Sequence, residues 1–377
     1  MKKLLKNKLP LFLVMCMVLM ISDIYAYASE VKSMSFEEAS GLMLYNSRIR
    51  KNMDKIVLDM EYEYNKAVEL SVNIDIYDSP TLYARMLLLN NKHLEPEQKR
   101  CSWEAASQRR IITQNTLIVN LRGYYTALLG AKSNFRNKEK EYVIAVQKFK
   151  NEEVKYKNGQ ISSYDLEEAE YELCKMEIER NIENRNYEKE CRNFNAYIGN
   201  KLDTFYDEIS FENMICFQLK DLEYYINQAL NFREEINIIK WQIKLKKLEI
   251  GILEKDNVNI IYTDVKRQHS DITKEINDLE LNLQKTQLAI SNEIKDAYFD
   301  IKSSYRELSM METRLNTVKR NLSVIKAKYI EGIIPRYRVS EEEIKIEEME
   351  DRYNISIFNY NTKVMKFKNA CLSGPGY

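Results

Sequence analysis

The chain offers two histidines, His93 and His269, and six cysteines in 377 residues. That is a thin supply for catalysis. Neither histidine sits in a pattern with metal-ligand spacing, no Ser–His–Asp set can be assembled, and no glycine-rich phosphate loop occurs. Setting aside Cys16 in the leading apolar run, Cys101, Cys174, Cys191, Cys216 and Cys371 are an odd number, irregularly spaced, without a C-x-x-C pair, so they read as buried free thiols rather than a disulfide framework. No catalytic, cofactor-binding or metal residue is assigned, and the sequence does not read as an enzyme. The residues with something to offer cluster at two glycine turns. Tyr156, Gly159, Tyr164 and Asp165 flank the first; Tyr329, Gly332, Arg336, Tyr337 and Arg338 flank the second. Asp165 and Arg338 hold equivalent places with opposite charge. Charge-assisted hydrogen bonds between neighbouring turns are one reading. Ordinary solvated turn residues, whose pairing contributes about 0–1 kcal/mol, are the other.

The elements that carry these turns are long helices. Leu121, Leu128, Phe135, Tyr142, Phe149 and Tyr156 recur at strict sevens, as do Ile294, Ile301, Leu308, Leu315, Leu322 and Tyr329. The second set is the first shifted by 173 residues. The shift continues past the turns: Leu166, Leu173, Tyr187 and Phe194 map onto Val339, Ile346, Tyr360 and Phe367. Gly159 maps onto Gly332. A strict seven-residue apolar period means left-handed coiled-coil packing. The sequence therefore predicts an all-α fold, a tandem duplication of long antiparallel coiled-coil hairpins. The second outgoing arm, traced back to Ile276, reaches about 80 Å.

A shorter helix leads each hairpin, from Phe36 to about Leu70 and from Leu222 to about Lys255. Ser35 and Glu38 form a capping-box pattern at the first. Matching Ile49 with Ile236 gives a shift of 187, which leaves about 14 extra residues between Asp78 and Arg100 of the first copy. Two segments that follow the leading helices, Val72–Tyr77 and Val258–Tyr262, alternate with β periodicity. Each predicts one short, vestigial strand, below the 9–11 residues of a membrane-crossing strand.

Only 9 Gly and 5 Pro are present, too few turn residues for a sandwich, barrel or doubly wound sheet. The 57 basic and 57 acidic residues balance, which argues against a nucleic-acid partner. Residues 1–28 read as a secretory signal peptide: Lys2, Lys3, Lys6 and Lys8, an apolar run from Leu9 to Ile21, then Ala26-Tyr27-Ala28. Residues 29–200 form the first hairpin repeat, 201–220 a linker, 221–373 the second repeat and 374–377 a tail.

An export signal, duplicated hairpins and a break after each leading helix together resemble the TolC family of outer-membrane efflux proteins. The local motifs agree. Tyr156-Lys157-Asn158-Gly159 leading through Ser162 to Asp165-Leu166 is similar to the family's hairpin turn. Tyr329-Ile330-Glu331-Gly332 leading to Arg338-Val339 is similar too, with Arg338 where Asp is usual. Phe36-Glu37-Glu38-Ala39 and Tyr197-Ile198-Gly199 resemble its opening motif and the end of its first repeat. The resemblance covers residues 35–373. It implies a homo-oligomer, a trimer in the family, forming a conduit in an efflux or secretion system. It also implies that the hairpin tips carry the gate and dock a periplasmic-type adaptor on an export pump. It places the chain in the cell envelope, at the outer membrane in the family. The short strand segments argue instead for a helical assembly without a finished barrel, outside the cytoplasmic membrane. An extracellular helical scaffold without a lumen is the alternative.

Overall fold

The computed structural model describes residues 32–374. Residues 1–28, read above as a signal peptide, and most of the tail lie outside the described residues. Ten α-helices follow in order: α1 (Phe36–Asn46), α2 (Arg48–Val72), α3 (Leu82–Leu89), α4 (Glu95–Lys157), α5 (Ser163–Ile198), α6 (Leu222–Phe232), α7 (Glu234–Glu254), α8 (Val258–Ile261), α9 (Thr263–Ile330) and α10 (Arg336–Leu372). At 63 and 68 residues, α4 and α9 run for about 95 and 100 Å. The strict seven-residue periods lie on these two helices. Among the described residues the strands are β1 (Ser33–Met34) and β2 (Glu208–Ile209), a two-residue parallel pair. The all-α fold of long antiparallel hairpins is therefore as the periodicity dictates.

The helices pack side by side in a layer. Towards the hairpin turns, α5 packs on α4, α4 on α10, and α10 on α9. At the other end, α2 packs on α4, α4 on α7, and α7 on α9. Two aromatic clusters hold the middle. Phe36, Leu121, Tyr125, Phe194 and Phe358 make one; Tyr225, Ile294, Tyr298, Tyr360 and Phe367 make the other. The Tyr125 hydroxyl donates to the carbonyls of Met34 (3.0 Å) and Ser210 (2.7 Å). The heptad stripes are fully buried at Leu121, Leu128, Ile294 and Ile301, and open towards the turns, where Tyr156 and Tyr329 are exposed.

Three sequence expectations are corrected. First, neither leading helix is continuous. The first breaks at Ser47, whose hydroxyl caps α2 by accepting from the Arg50 amide at 3.2 Å. The second breaks at Arg233, whose backbone is extended and whose buried guanidinium binds Glu235 (2.5 Å) and Glu293 (2.8 Å). These interactions repay the interrupted helix ladder.

Second, α1 and α6 are both 11 residues long and begin at Phe36 and Leu222, a shift of 186 rather than 187. The match of Ile49 with Ile236 fails on burial, because Ile49 is 56% exposed and Ile236 is 0% exposed. The excess of the first copy, measured against the 173-residue shift of the hairpins, is thus 13. It is taken up by α3 and a π-helical turn, Asn90–Leu94, which run into α4.

Third, the two vestigial strands are not strands. Val72 ends α2, and the following turn is held by the Tyr77 amide on Asp75 (2.9 Å) and by Lys92 on the Ile74 carbonyl (2.8 Å). Val258–Ile261 is a helical turn, entered through Asp256 and Asn257 at φ +58 and +57. A lone strand has no ladder partner, so its backbone groups find partners in turns instead. Val258 is buried in a third cluster with Met86, Leu89, Leu253 and Val265, against which Ile76 and Tyr262 pack, while Val72, Tyr77, Ile260 and Ile261 are exposed.

Among the described residues the thiols are free; Cys101, Cys191 and Cys371 are buried, whereas Cys174 and Cys216 are exposed rather than buried. Burial pushes the Cys371 thiol up to about 12. No helix among the described residues is long and apolar enough to cross a membrane.

Candidate functional site at the hairpin tips

The two turns are built alike. After α4, the Gly159 amide donates to the Tyr156 carbonyl (2.8 Å) and the Gln160 amide to the Lys155 carbonyl (2.9 Å). After α9, the Gly332 amide donates to Tyr329 (3.0 Å) and the Ile333 amide to Lys328 (2.9 Å). This crossed pair is the Schellman motif, and it needs a left-handed residue at its centre. Gly159 and Gly332 supply it, at φ +72 and +75.

The returning helices start differently. Ser162 and Asp165 form a capping box before α5. The Ser162 amide donates to the Asp165 carboxylate (2.9 Å), and the Asp165 amide donates to the Ser162 hydroxyl (3.2 Å). The Ser162 hydroxyl also donates to that carboxylate, and with the backbone bond it holds the Asp165 pKa below its ordinary value. In α10 the capping residue is Pro335, which offers neither a side-chain acceptor nor an amide donor. No box can form there, so the third position has no need of an acid. Arg338 occupies it and binds Glu341 one turn on, at 3.2 Å.

Asp165 and Arg338 line one groove of about 1020 Å³ between α4, α5 and α10. Its floor is apolar, with Ile144, Phe149, Leu173, Met176 and Ile344; its rim is charged. Within the chain the two residues do not pair with each other, because each is engaged locally. The turns are instead tied by residues outside the sequence-derived set. Lys148 of α4 binds Glu341 of α10 at 2.5 Å and lies over the Tyr337 ring at 4.9 Å. Lys140 binds Glu347, and Arg136 binds Asp351 at 2.5 Å. Basic residues of α4 thus meet acidic residues of α10 along the seam between hairpins. The Ser-x-x-Asp spacing could have revealed the cap, but the seam pairs have no local signature. Tyr156, Tyr164 and Tyr329 are exposed near the turns, and so are Gly159, Gly332 and Arg336.

The architecture recurs in solved proteins. Similar structures include the Campylobacter jejuni CmeC outer membrane channel, with a TM-score of 0.61 at 14% identity over 90% of this chain and 86% of that one. The outer membrane protein VceC of Vibrio cholerae gives 0.58 at 11% identity over 91% and 97%. The Neisseria gonorrhoeae MtrE outer membrane channel, in its open state, gives 0.54 at 10% identity over 90% and 89%. The chain has the TolC-type outer-membrane-channel fold. No protein-family model matches the sequence, and no curated protein matches it. At these identities the TolC-type likeness lies in the arrangement of helices. Among the described residues, long strands like those that cross a membrane do not occur. Nor does any trio of His, Cys, Asp or Glu fit to hold a metal ion.

Proposed function

We propose that the mature chain is a conduit component of an efflux or secretion system, exported to the cell envelope and assembled from several copies. One observation carries this reading: the helix layer has two unpartnered edges. Near the tips its order is α5–α4–α10–α9, so α5 and α9 each lack a long neighbour on their outer flank. Tyr164, Tyr171 and Ile178 stand exposed at strict sevens on α5, and Met310 and Val324, fourteen residues apart, stand exposed on α9. An unpaired heptad stripe calls for another helix. The two edges differ, so α5 of one copy meets α9 of the next. Such head-to-tail contacts close into a ring when the rotation allows, and the closed ring then encloses a lumen. Three copies is the number that the family resemblance supports. The groove behind the tips, bearing Asp165 and Arg338, is the surface offered to an adaptor on an export pump. Electron microscopy of the purified mature protein tests the reading. Rings with a central channel are expected. Monomers, or solid rods as in a scaffold without a lumen, would overturn it.

A further inference from the structure

The chain contains two tryptophans, and both line one small cavity far from the tips. Trp103 lies on α4 and Trp241 on α7; between them is a space of about 360 Å³ that Gln108, Asn237 and Glu234 also line. Tyr64 of α2 stacks against Trp103, with ring centroids 5.7 Å apart and planes 10° apart, and so braces it. Glu234 is the unusual member. It is only 3% exposed, and neither carboxylate oxygen has a hydrogen-bond partner. The neighbouring acids are already engaged: Glu104, also on the lining, by Arg100, and Glu235 by Arg233. The Trp103 indole N–H is likewise buried without a partner.

An unpaired buried carboxylate is costly unless a cation or proton compensates it. Glu104, Ser107, Gln108 and Asn237 also line the space, but no group of three His, Cys, Asp or Glu placed to hold a metal ion stands here among the described residues. Water alone could solvate the carboxylate, but two indoles contribute little to a water site. They contribute a great deal to a desolvated organic cation, which aromatic faces attract. The volume falls in the range of small-ligand pockets. We infer that this cavity, walled by Trp103 and Trp241 and based on Glu234, binds a small organic monocation of the quaternary ammonium type. The inference stands on the cavity alone and is independent of the conduit reading.

Because these are the chain's two tryptophans, their fluorescence reports the cavity directly. The mature protein is titrated with choline chloride at constant ionic strength. Its neutral isostere, 3,3-dimethylbutan-1-ol, is titrated in parallel. Choline should give a saturable change, with half-saturation on the order of 1 mM or tighter. The isostere should give none, and Glu234→Gln should weaken choline at least about tenfold. A non-saturable choline response overturns the inference, as does an equal response to the isostere or unchanged binding by Glu234→Gln. Should that variant lose its helical circular dichroism, Trp241→Phe decides. Weaker binding is then expected, since Phe attracts cations less than Trp, and unchanged binding overturns the inference.

Discussion

Asp165 and Arg338 both stand at the third position of a returning helix and line the same groove, yet only Asp165 closes a capping box. The difference traces to one residue, Ser162 against Pro335. It also decides how a charge swap must be read. Asp165→Arg loses the box as well as the charge, whereas Ser162→Ala loses the box and keeps the charge. If the pair links neighbouring copies, Asp165→Arg and Arg338→Asp should each loosen the oligomer. The double swap should restore it, and Ser162→Ala should leave it intact. Analytical ultracentrifugation of the four variants checks this. The Asp165 pKa is lowered in the folded chain, so its contribution to stability is present above its unfolded value and is lost as the pH falls.

Gly159→Ala and Gly332→Ala should each cost about 1 kcal/mol locally. The cost is backbone strain, because a Cβ at either site meets nothing within 4 Å. Hydrogen exchange at the Gln160 and Ile333 amides, which close the two Schellman turns, should accelerate roughly fivefold. Overall helicity should be unchanged. Exchange at the wild-type rate would mean that the turns frame no stable tip.

Arg122 is a buried cation on α4. It binds Glu212 of the inter-hairpin segment through both terminal nitrogens (3.1 and 3.0 Å) and packs over the adjoining rings of Phe36 and Phe358, at 4.4 and 4.6 Å. One guanidinium therefore ties α4, the linker, α1 and α10. Arg122→Ala leaves Glu212 without its cation and should destabilise the fold by about 3–5 kcal/mol in urea titration. Arg122→Lys should recover little of this, because an ammonium has no planar fork for two carboxylate oxygens and two rings.

The long helices and their turns were legible because coiled-coil packing writes a period into the sequence. Leu121 to Tyr156 and Ile294 to Tyr329 can repeat at seven only if a neighbouring helix demands it. The breaks at Ser47 and Arg233 were not read from the sequence. That at Arg233 depends on Glu293, remote in sequence; that at Ser47 rests on a local cap, its hydroxyl accepting from the Arg50 amide. The alternation in Val258–Tyr262 was misleading, since a segment of that length satisfies a turn packed on Leu253 and Val265 as well as a strand. The capping box at Ser162 was there to be read. The cavity at Glu234 was not, because Trp103 and Trp241 meet only through the packing of α4 on α7.

Glu234 should make stability depend on pH in the unusual direction. Burial pushes its pKa up to about 7; Arg109 opposes the shift, while Glu235 and Glu104 add to it. The folded state therefore holds a proton that the unfolded state has released between the ordinary value, 4.5, and about 7. Through that window this group's contribution to stability falls as the pH rises. Glu234→Gln removes the effect. It should raise the melting temperature at pH 8 and change it little at pH 4. Equal shifts at both pH values would show that Glu234 does not titrate as a buried acid.

If copies join at their open edges, the repeat places the contact to the residue. Along the seam between hairpins, Lys148 meets Glu341 and Arg136 meets Asp351, which sets an antiparallel register for α4 against α10. The sequence repeat relates α4 to α9 and α10 to α5 by 173 residues. Carrying the same seam to the open edges sets α9 of one copy against α5 of the next. Ile178 then falls opposite Met310, and Tyr164 opposite Val324. All four are exposed in the single chain, Ile178 at 59% and Met310 at 71%. Carried by 173 residues, Lys148–Glu341 becomes Asn321–Glu168 and Arg136–Asp351 becomes Ser309–Ile178, so the ion pairs inside the chain have no counterparts at this edge. Cysteines at positions 178 and 310 should therefore bridge neighbouring copies on mild oxidation, in a background where the exposed Cys174 and Cys216 are serine. A disulfide forms only when the Cα atoms approach within about 7 Å, so the reaction is a strict test of register. The paired variant should run as a ladder ending at the closed ring, and each single variant should not. A control pair slipped by one helical turn, positions 178 and 314, should react far less. Equal reaction of both pairs would mean that the edges collide without a fixed seam, and no ladder would mean that α5 and α9 are not the edges that join.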